Sequence, residues 1–339
     1  MTVPRLPPEF LSLPKAELHL HLEGSIEPSL VCRLAARHGE IVSEQEARRH
    51  YAYHGFAEFL EAFKWVTSYL RDPEDYALVT DALTASLLEQ NVVYAELTIS
   101  IGVMHFRKQV PEANFEAIRR ASEVSAGKGL RLRWIFDAVR QFGPEAAGKV
   151  ALLARNYKKE GVIAFGMGGD ELSLPASDFR STYDFVAAQG LHRLVHAGEI
   201  GGPQQVYDAI DLLGAERIGH GIGAMHDPGL LETLAERRIP LEICPTSNLC
   251  TGALARQLGC DAPTLAQHPL PEFLRRGIPV VLSTDDPAMF NTSLLAEYAQ
   301  TAAMGLDEEE RIRLAAQSFE HAFLPEEDKR ALSARKPGL

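Results

Sequence analysis

The stretch Lys15–Ser25, KAELHLHLEGS, decides the fold. Within it, Ala16–Leu22 is a strand-length run of mostly apolar residues interrupted by two histidines. Side chains two apart on a strand point to the same side, so His19 and His21 project together from the strand's C-terminal end. A lone histidine is more often a satisfied core residue, whereas two at strand spacing leave the core and functional readings about evenly balanced.

Seven further runs of this kind follow: Val92–Ile99, Leu130–Ala138, Val162–Met167, Arg193–His196, Arg217–His220, Pro240–Cys244 and Pro279–Ser283. Several are continuous Val/Ile/Leu runs, as in strands buried on both faces of a parallel sheet. Helix-length segments separate them. Glu145–Lys159 places Ala147, Val150, Ala151 and Ala154 on one face; Leu230–Arg238 and Leu294–Ala303 read alike, with Pro228 and Asn291 as start signals. Eight alternating units imply right-handed βαβ connections and a closed α/β architecture, a (β/α)8 TIM barrel. No linker, repeat or low-complexity tract divides the chain, so a single domain over 1–339 is expected. Pro4, Pro7, Pro8 and Pro14 predict an irregular start, and the tail ARKPGL a frayed end.

The connection between the first two strands departs from the pattern. Ser25–Gln90 is 66 residues long, an extended helical excursion leaving the end of strand one. Its middle, Tyr51–Tyr76, holds eight of the chain's 26 aromatics, and Phe56, Phe59 and Phe63 share a helical face. These rings either glue the excursion to the barrel or form an apolar wall over the site.

Composition narrows the classes of function. With 46% hydrophobic and 24% charged residues, the chain suits a soluble globular protein. The apolar runs are too short for a membrane span, and MTVPRLPPEF lacks the pattern of a signal peptide. A net charge of −12 and only short basic pairs, Arg48-Arg49 and Lys158-Lys159, argue against nucleic acid as a partner. The four cysteines form no CxxC and are too sparse for a disulfide scaffold, which suggests a reducing, cytoplasmic setting. Oligomeric state is not encoded in any of these features.

Polar, metal-capable residues recur at the strand ends: His19 and His21, His196 with Glu199 in HAGE, His220 in IGHG, and Asp285 with Asp286 in STDD. In a TIM barrel these ends meet at one face, where active sites are built. Imidazoles plus a carboxylate with an open position describe a catalytic zinc site, so His19, His21, His196 and Asp285 are assigned as ligands of one Zn2+ per chain. Glu199 is expected to start a helix beside the metal as a proton carrier; His220 could be a further ligand, but with four already named it is expected to hold the attacking oxygen by hydrogen bond. Asp286, pointing away from Asp285, is expected to face substrate. Strand four offers no Lys or His in FGMGGDE, which favours one metal over two, and Gly168 and Gly169 permit close backbone approach to a flat ligand. CPTSN, Cys244–Asn248, reads as a turn on the active face. There is no GxSxG elbow, P-loop or HxE…PCxxC pattern.

Together, KAELHLHLEGS, YAEL (Tyr94–Leu97), FGMGGDE (Phe165–Glu171), HAGE (His196–Glu199), RIGHG (Arg217–Gly221), LEICPTSN (Leu241–Asn248) and STDDP (Ser283–Pro287) resemble the adenosine deaminase family of metal-dependent hydrolases. The resemblance implies a one-zinc barrel that hydrolytically deaminates C6 of a 6-aminopurine nucleoside, a small-molecule substrate. It also implies that Glu199 protonates purine N1, His220 orients the attacking hydroxide, Asp286 contacts N7, the Gly169 backbone contacts N3, and Glu23 lies near the ribose. Thr98 stands where adenosine deaminases often carry Arg. YAELT, CPTSN and FAEFLEAF (Phe56–Phe63) look like the branch acting on 6-aminodeoxyfutalosine, a 5′-extended adenosine analogue of menaquinone synthesis, whereas Glu23 and GGDE are closer to adenosine deaminases. The alternatives are deamination of free adenine on the same fold, amide or phosphoester hydrolysis, and purine binding without turnover. On the wall reading, Phe59 and Phe63 would meet the nucleoside's 5′ end.

Overall fold

A computed structural model of the chain describes residues 6–335. Eight strands form one continuous parallel order: β1 Lys15–His21, β2 Val92–Ile99, β3 Arg131–Val139, β4 Val162–Gly168, β5 His192–Ala197, β6 Arg217–His220, β7 Leu241–Ile243 and β8 Val280–Leu282. The last three strands are short, at 4, 3 and 3 residues. The barrel closes through one bridged pair, Leu20 with Asp285, three residues beyond β8. There the His21 amide donates to the Asp285 carbonyl (2.9 Å) and the Asp285 amide to the His19 carbonyl (3.0 Å).

The expected alternation along β1 holds at His19 and His21 but breaks before them. Glu17 pairs with Ala95 and Leu20 with Leu97, so three steps on β1 face two on β2, a β-bulge. Glu17 and Leu20 line one cavity, while Leu18 and His19 line another inside the barrel. A bulge leaves no mark in hydrophobic periodicity.

Helices flank the barrel and bury an apolar layer against it, with Val150, Phe165, Val195, Ile218, Leu231 and Leu282 all buried. The excursion folds as four helices, Pro28–Arg37, Glu44–His50, Gly55–Thr67 and Pro73–Glu89, after a short 3-10 turn at Glu23–Ser25. Three helix expectations need correction. The segment 145–159 stops as a helix at Asn156, with a 3-10 turn at Lys158–Glu160. Leu294–Gln300 is α-helical and Thr301–Met304 is 3-10. Its cap is Ser293, which accepts from the Ala296 amide, whereas Asn291 sits in the left-handed region at φ +49° as part of the preceding turn. Pro228 does occupy the first turn of its helix, capped by Asp227. At the start, Pro8–Ser12 forms a one-turn helix, since proline fits a first helical position; Pro4 lies outside the described residues. Of the tail, 336–339 lie outside them too, and Arg335 is tied to the Gly129 carbonyl.

Candidate active site

β1 brings His19 and His21, β5 His196 and β6 His220 to the barrel mouth, and the segment after β8 adds Asp285. One ligand atom from each of His19, His196, His220 and Asp285 lies within 4.8 Å of all the others. His21 stands at the edge of this group, its Nε2 3.3 Å from Asp285 Oδ1. The five sequence-derived residues therefore converge, with His220 inside the tightest set and His21 beside it. Glycines make room: a Cβ on Gly219 would lie 2.9 Å from His19, and one on Gly168 3.4 Å from His196. His220 (φ +63°) and Asp285 (φ +67°) occupy the left-handed region, a strain of ~1–3 kcal/mol each that the surrounding bonds must hold.

A buried polar network aims these groups. His19 Nδ1 bonds Glu242 Oε2 at 2.7 Å, which leaves Nε2 to face the site. Glu242 also accepts from Arg217 Nε (2.6 Å), and Arg217 reaches Glu96, which takes the Tyr94 hydroxyl as well. Ser247 donates to Asp285 Oδ2 at 2.7 Å. Arg217 is 1% exposed and Glu96 0%, so removing either would strand its partner in the interior.

Three of the four imidazoles are held neutral. Burial pushes His21 and His220 down to about 4, and burial with the neighbouring imidazoles pushes His196 well below its ordinary value, so these rings stay neutral. Burial opposes a proton on His19, yet its bonds and charges from Asp285 and Glu242 raise it to about 10. Burial likewise opposes charge on Asp285, but the His19 bond and the nearby imidazoles hold it well below the carboxylate range. His19 Nε2 is buried and makes no well-aligned hydrogen bond of its own. Three neutral imidazoles and a carboxylate, with a fourth imidazole whose Nε2 would give up its proton to a cation, fit a divalent metal.

Glu199 does not start a helix, contrary to the sequence reading; the helix begins at Pro203 and Glu199 lies in the preceding bend. That bend is clamped. The Glu171 carboxylate accepts from the amides of Gly198 (2.6 Å), Ile200 (2.5 Å) and Gly201 (2.6 Å). Gln257 Nε2 donates to the carbonyls of Glu199 and Gly201. Glu199 Oε2 comes within 3.8 Å of His220 Nε2. Burial, then the charges of Asp285 and Glu171, raise Glu199 to about 8, so it is largely protonated at neutral pH.

Asp286, next to Asp285 in the chain, is buried as well. Burial and the Asp285 charge raise its pKa well above the usual range, and its Oδ1 is buried without a partner. Gly24 presses against it: a Cβ there would lie 1.8 Å from Asp286 Oδ1. Glu23 is buried, accepts from the Ser100 amide (3.0 Å), and leaves Oε2 unpartnered. Gly169 adopts φ +93°, and a Cβ would meet Gln141 at 2.4 Å. CPTSN is the start of a short helix, Pro245–Cys250, rather than a turn, and it delivers Ser247 and Asn248 to the site.

Sequence reasoning singled out neither Glu96, Glu242 and Arg217 nor Glu171, Ser247, Asn248, Gln257 and His268. For the first three the available signal was a charged residue inside an otherwise apolar strand, as in YAEL, LEIC and RIGH. The aromatics of the excursion divide. Phe59 is buried, stacked on Phe290 at 5.2 Å, while Phe56 and Phe63 are only half-buried beside it. Tyr53 donates to the Met289 carbonyl at 2.6 Å and Trp65 stacks on His50. Much of this cluster therefore fastens the excursion to the loop that follows Asp286.

The family model described as adenosine deaminase matches residues 14–335. An aminodeoxyfutalosine deaminase of Streptomyces coelicolor is 43% identical over 322 residues, covering 92% of this chain and 80% of that protein. An adenine deaminase of Chelativorans sp. is 35% identical over 323 residues, covering 95% of this chain and 97% of its own length. The crystal structure of an adenine deaminase from Arthrobacter aurescens superposes with a TM-score of 0.86 at 29% identity, over 95% of this chain and 97% of that one. With its barrel, its clustered imidazoles and these relatives, the chain belongs to the adenosine deaminase family and is a hydrolytic deaminase.

Proposed function

We propose that the protein is a zinc-dependent deaminase of a 6-aminopurine nucleoside carrying a 5′ extension, of the 6-aminodeoxyfutalosine type, releasing the 6-oxopurine and ammonia. The observation that carries the chemistry is a buried Glu199 on a clamped bend, 3.8 Å from His220 and next to ligand-type atoms gathered within 4.8 Å. His19, His21, His196 and Asp285 would hold one zinc, which supplies a water made nucleophilic at neutral pH. Glu199 then donates its proton to purine N1 and makes C6 electrophilic. His220 holds the attacking oxygen. Asp286, kept protonated, donates to N7, an acceptor, and the Gly169 backbone meets N3. Glu23 lies on the ribose side.

The nucleoside reading rests on the 43% relative, and on this reading the half-buried Phe63 would meet a 5′ substituent. The adenine deaminase relatives at 35% support free adenine as the second reading. A substrate panel separates them: purified protein, its metal content measured, is mixed with adenosine, adenine and a 5′-aryl-extended adenosine while absorbance near the adenine maximum is followed. Fastest loss with the extended nucleoside is expected; fastest loss with adenine would overturn the nucleoside reading. Among the described residues no helix is long and apolar enough to cross a membrane. A single barrel domain working in the cytoplasm, within purine metabolism and menaquinone biosynthesis, suits its four free cysteines and this substrate.

A further inference from the structure

A chain of hydrogen bonds runs behind His220, and its direction is fixed at one end by the backbone. The Leu270 amide, which can only donate, bonds His268 Nδ1 at 3.1 Å. That nitrogen is therefore an acceptor, so the neutral His268 ring carries its proton on Nε2. His268 Nε2 lies 3.2 Å from Asn248 Oδ1, which must accept. Asn248 is thereby oriented with its NH2 toward His220 Nδ1, 3.1 Å away. His220 Nδ1 accepts in turn, and its proton sits on Nε2, the nitrogen 3.8 Å from both Glu199 Oε2 and Asp285 Oδ2. All three side chains are buried: His268 is 4% exposed, Asn248 0% and His220 1%. Burial also keeps His268 neutral, down to about 3, as the relay requires.

We propose that His268 and Asn248 are positioning residues that lock His220 in its Nε2–H tautomer, a hydrogen-bond donor aimed into the site. The lock has a second consequence. A neutral imidazole with Nδ1 accepting and Nε2 protonated has no lone pair left for a metal, so the relay takes His220 out of the ligand set and leaves that place to His21. The proposal builds on His220 holding the attacking oxygen, but the tautomer is measurable without turnover.

The test is two-bond 1H–15N correlation spectroscopy of the full-length protein, metal-free and zinc-loaded, with the His220 ring assigned by its loss in His220→Gln. Wild type should show Nε2 protonated in both states. His268→Leu frees the Asn248 amide to turn over, so the Nδ1–H form should appear, with kcat down about tenfold and KM little changed. His268→Gln, whose amide can again donate to Asn248, should restore both. Should the leucine variant fail to fold, Asn248→Asp supplies an acceptor-only side chain and should move the proton to Nδ1. Three results would overturn the proposal: a wild-type Nδ1–H ring, a proton lost from Nε2 on adding zinc, or an unchanged tautomer in the variants whatever kcat does. Inactivity toward every purine with the expected tautomer would instead sink the deaminase substrate reading alone.

Discussion

The polar floor of the site and the aromatic cluster that the sequence offers as its wall are built on different physics. At the floor, His19, Glu242, Arg217 and Glu96 form a fully buried chain in which nearly every donor has one acceptor. At the wall, Phe59, Phe63 and Phe290 meet through ring contacts of 5–6 Å. Directional bonds between buried charges tolerate no substitution, because removing one partner strands the other. Apolar contacts tolerate many, at the cost of area and fit. Substitutions should therefore cost more in the polar network than among the rings.

The contrast breaks most sharply at the floor. His196→Ala should abolish both metal binding and turnover, read by metal analysis and by the absorbance assay; an active, metal-loaded variant would remove His196 from the ligand set. Glu199→Gln should keep metal and substrate binding but lose ~10²–10⁴-fold in kcat, since an amide cannot deliver a proton. In wild type, the same group gives a pH dependence. Its raised pKa of about 8 means the acid form is present below that value, so kcat should fall as pH climbs through it. A profile flat to well above pH 8 would assign the proton to another residue.

Glu171→Gln touches neither metal nor substrate yet should cost about 10²-fold, because the bend carrying Glu199 loses its three-amide anchor and misplaces the acid. At the wall the effects should shrink and separate. Phe59→Ala should mainly lower stability, by ~3–5 kcal/mol in a denaturant titration, with substrate preference kept. Phe63→Ala should leave stability nearly unchanged and lower the preference for a 5′-aryl nucleoside over adenosine, which in wild type could reach roughly 30-fold. If neither variant shifts preference, the wall is packing only, and the floor alone defines the enzyme.

The same divide governs what could be read from the sequence. All eight strands and the residues at their ends were legible, because parallel strands leave continuous apolar runs and His19 with His21 break one at period two. The bulge in β1 was not, since one extra residue alters pairing without altering composition. Glu199 was found but placed wrongly, at a helix start, because its true support comes from Glu171 on a different loop. Asn248 and His268 are 20 residues apart in the chain and meet only through the fold, so no local pattern links them. Phe59 and Phe63 look alike in the sequence; only the position of Phe290 tells the buried ring from the accessible one.

The seam between β8 and β1 has a bearing on how the molecule comes apart. Two amide hydrogen bonds at Asp285 close it, and the side chain of that same residue points at the imidazoles. Whatever grips the Asp285 carboxylate must let go before the cylinder can unroll. Occupancy of the site should then raise stability, and protection from proteases, with the logarithm of ligand concentration over its Kd. For this enzyme, shelf life and chemistry would be controlled from one aspartate.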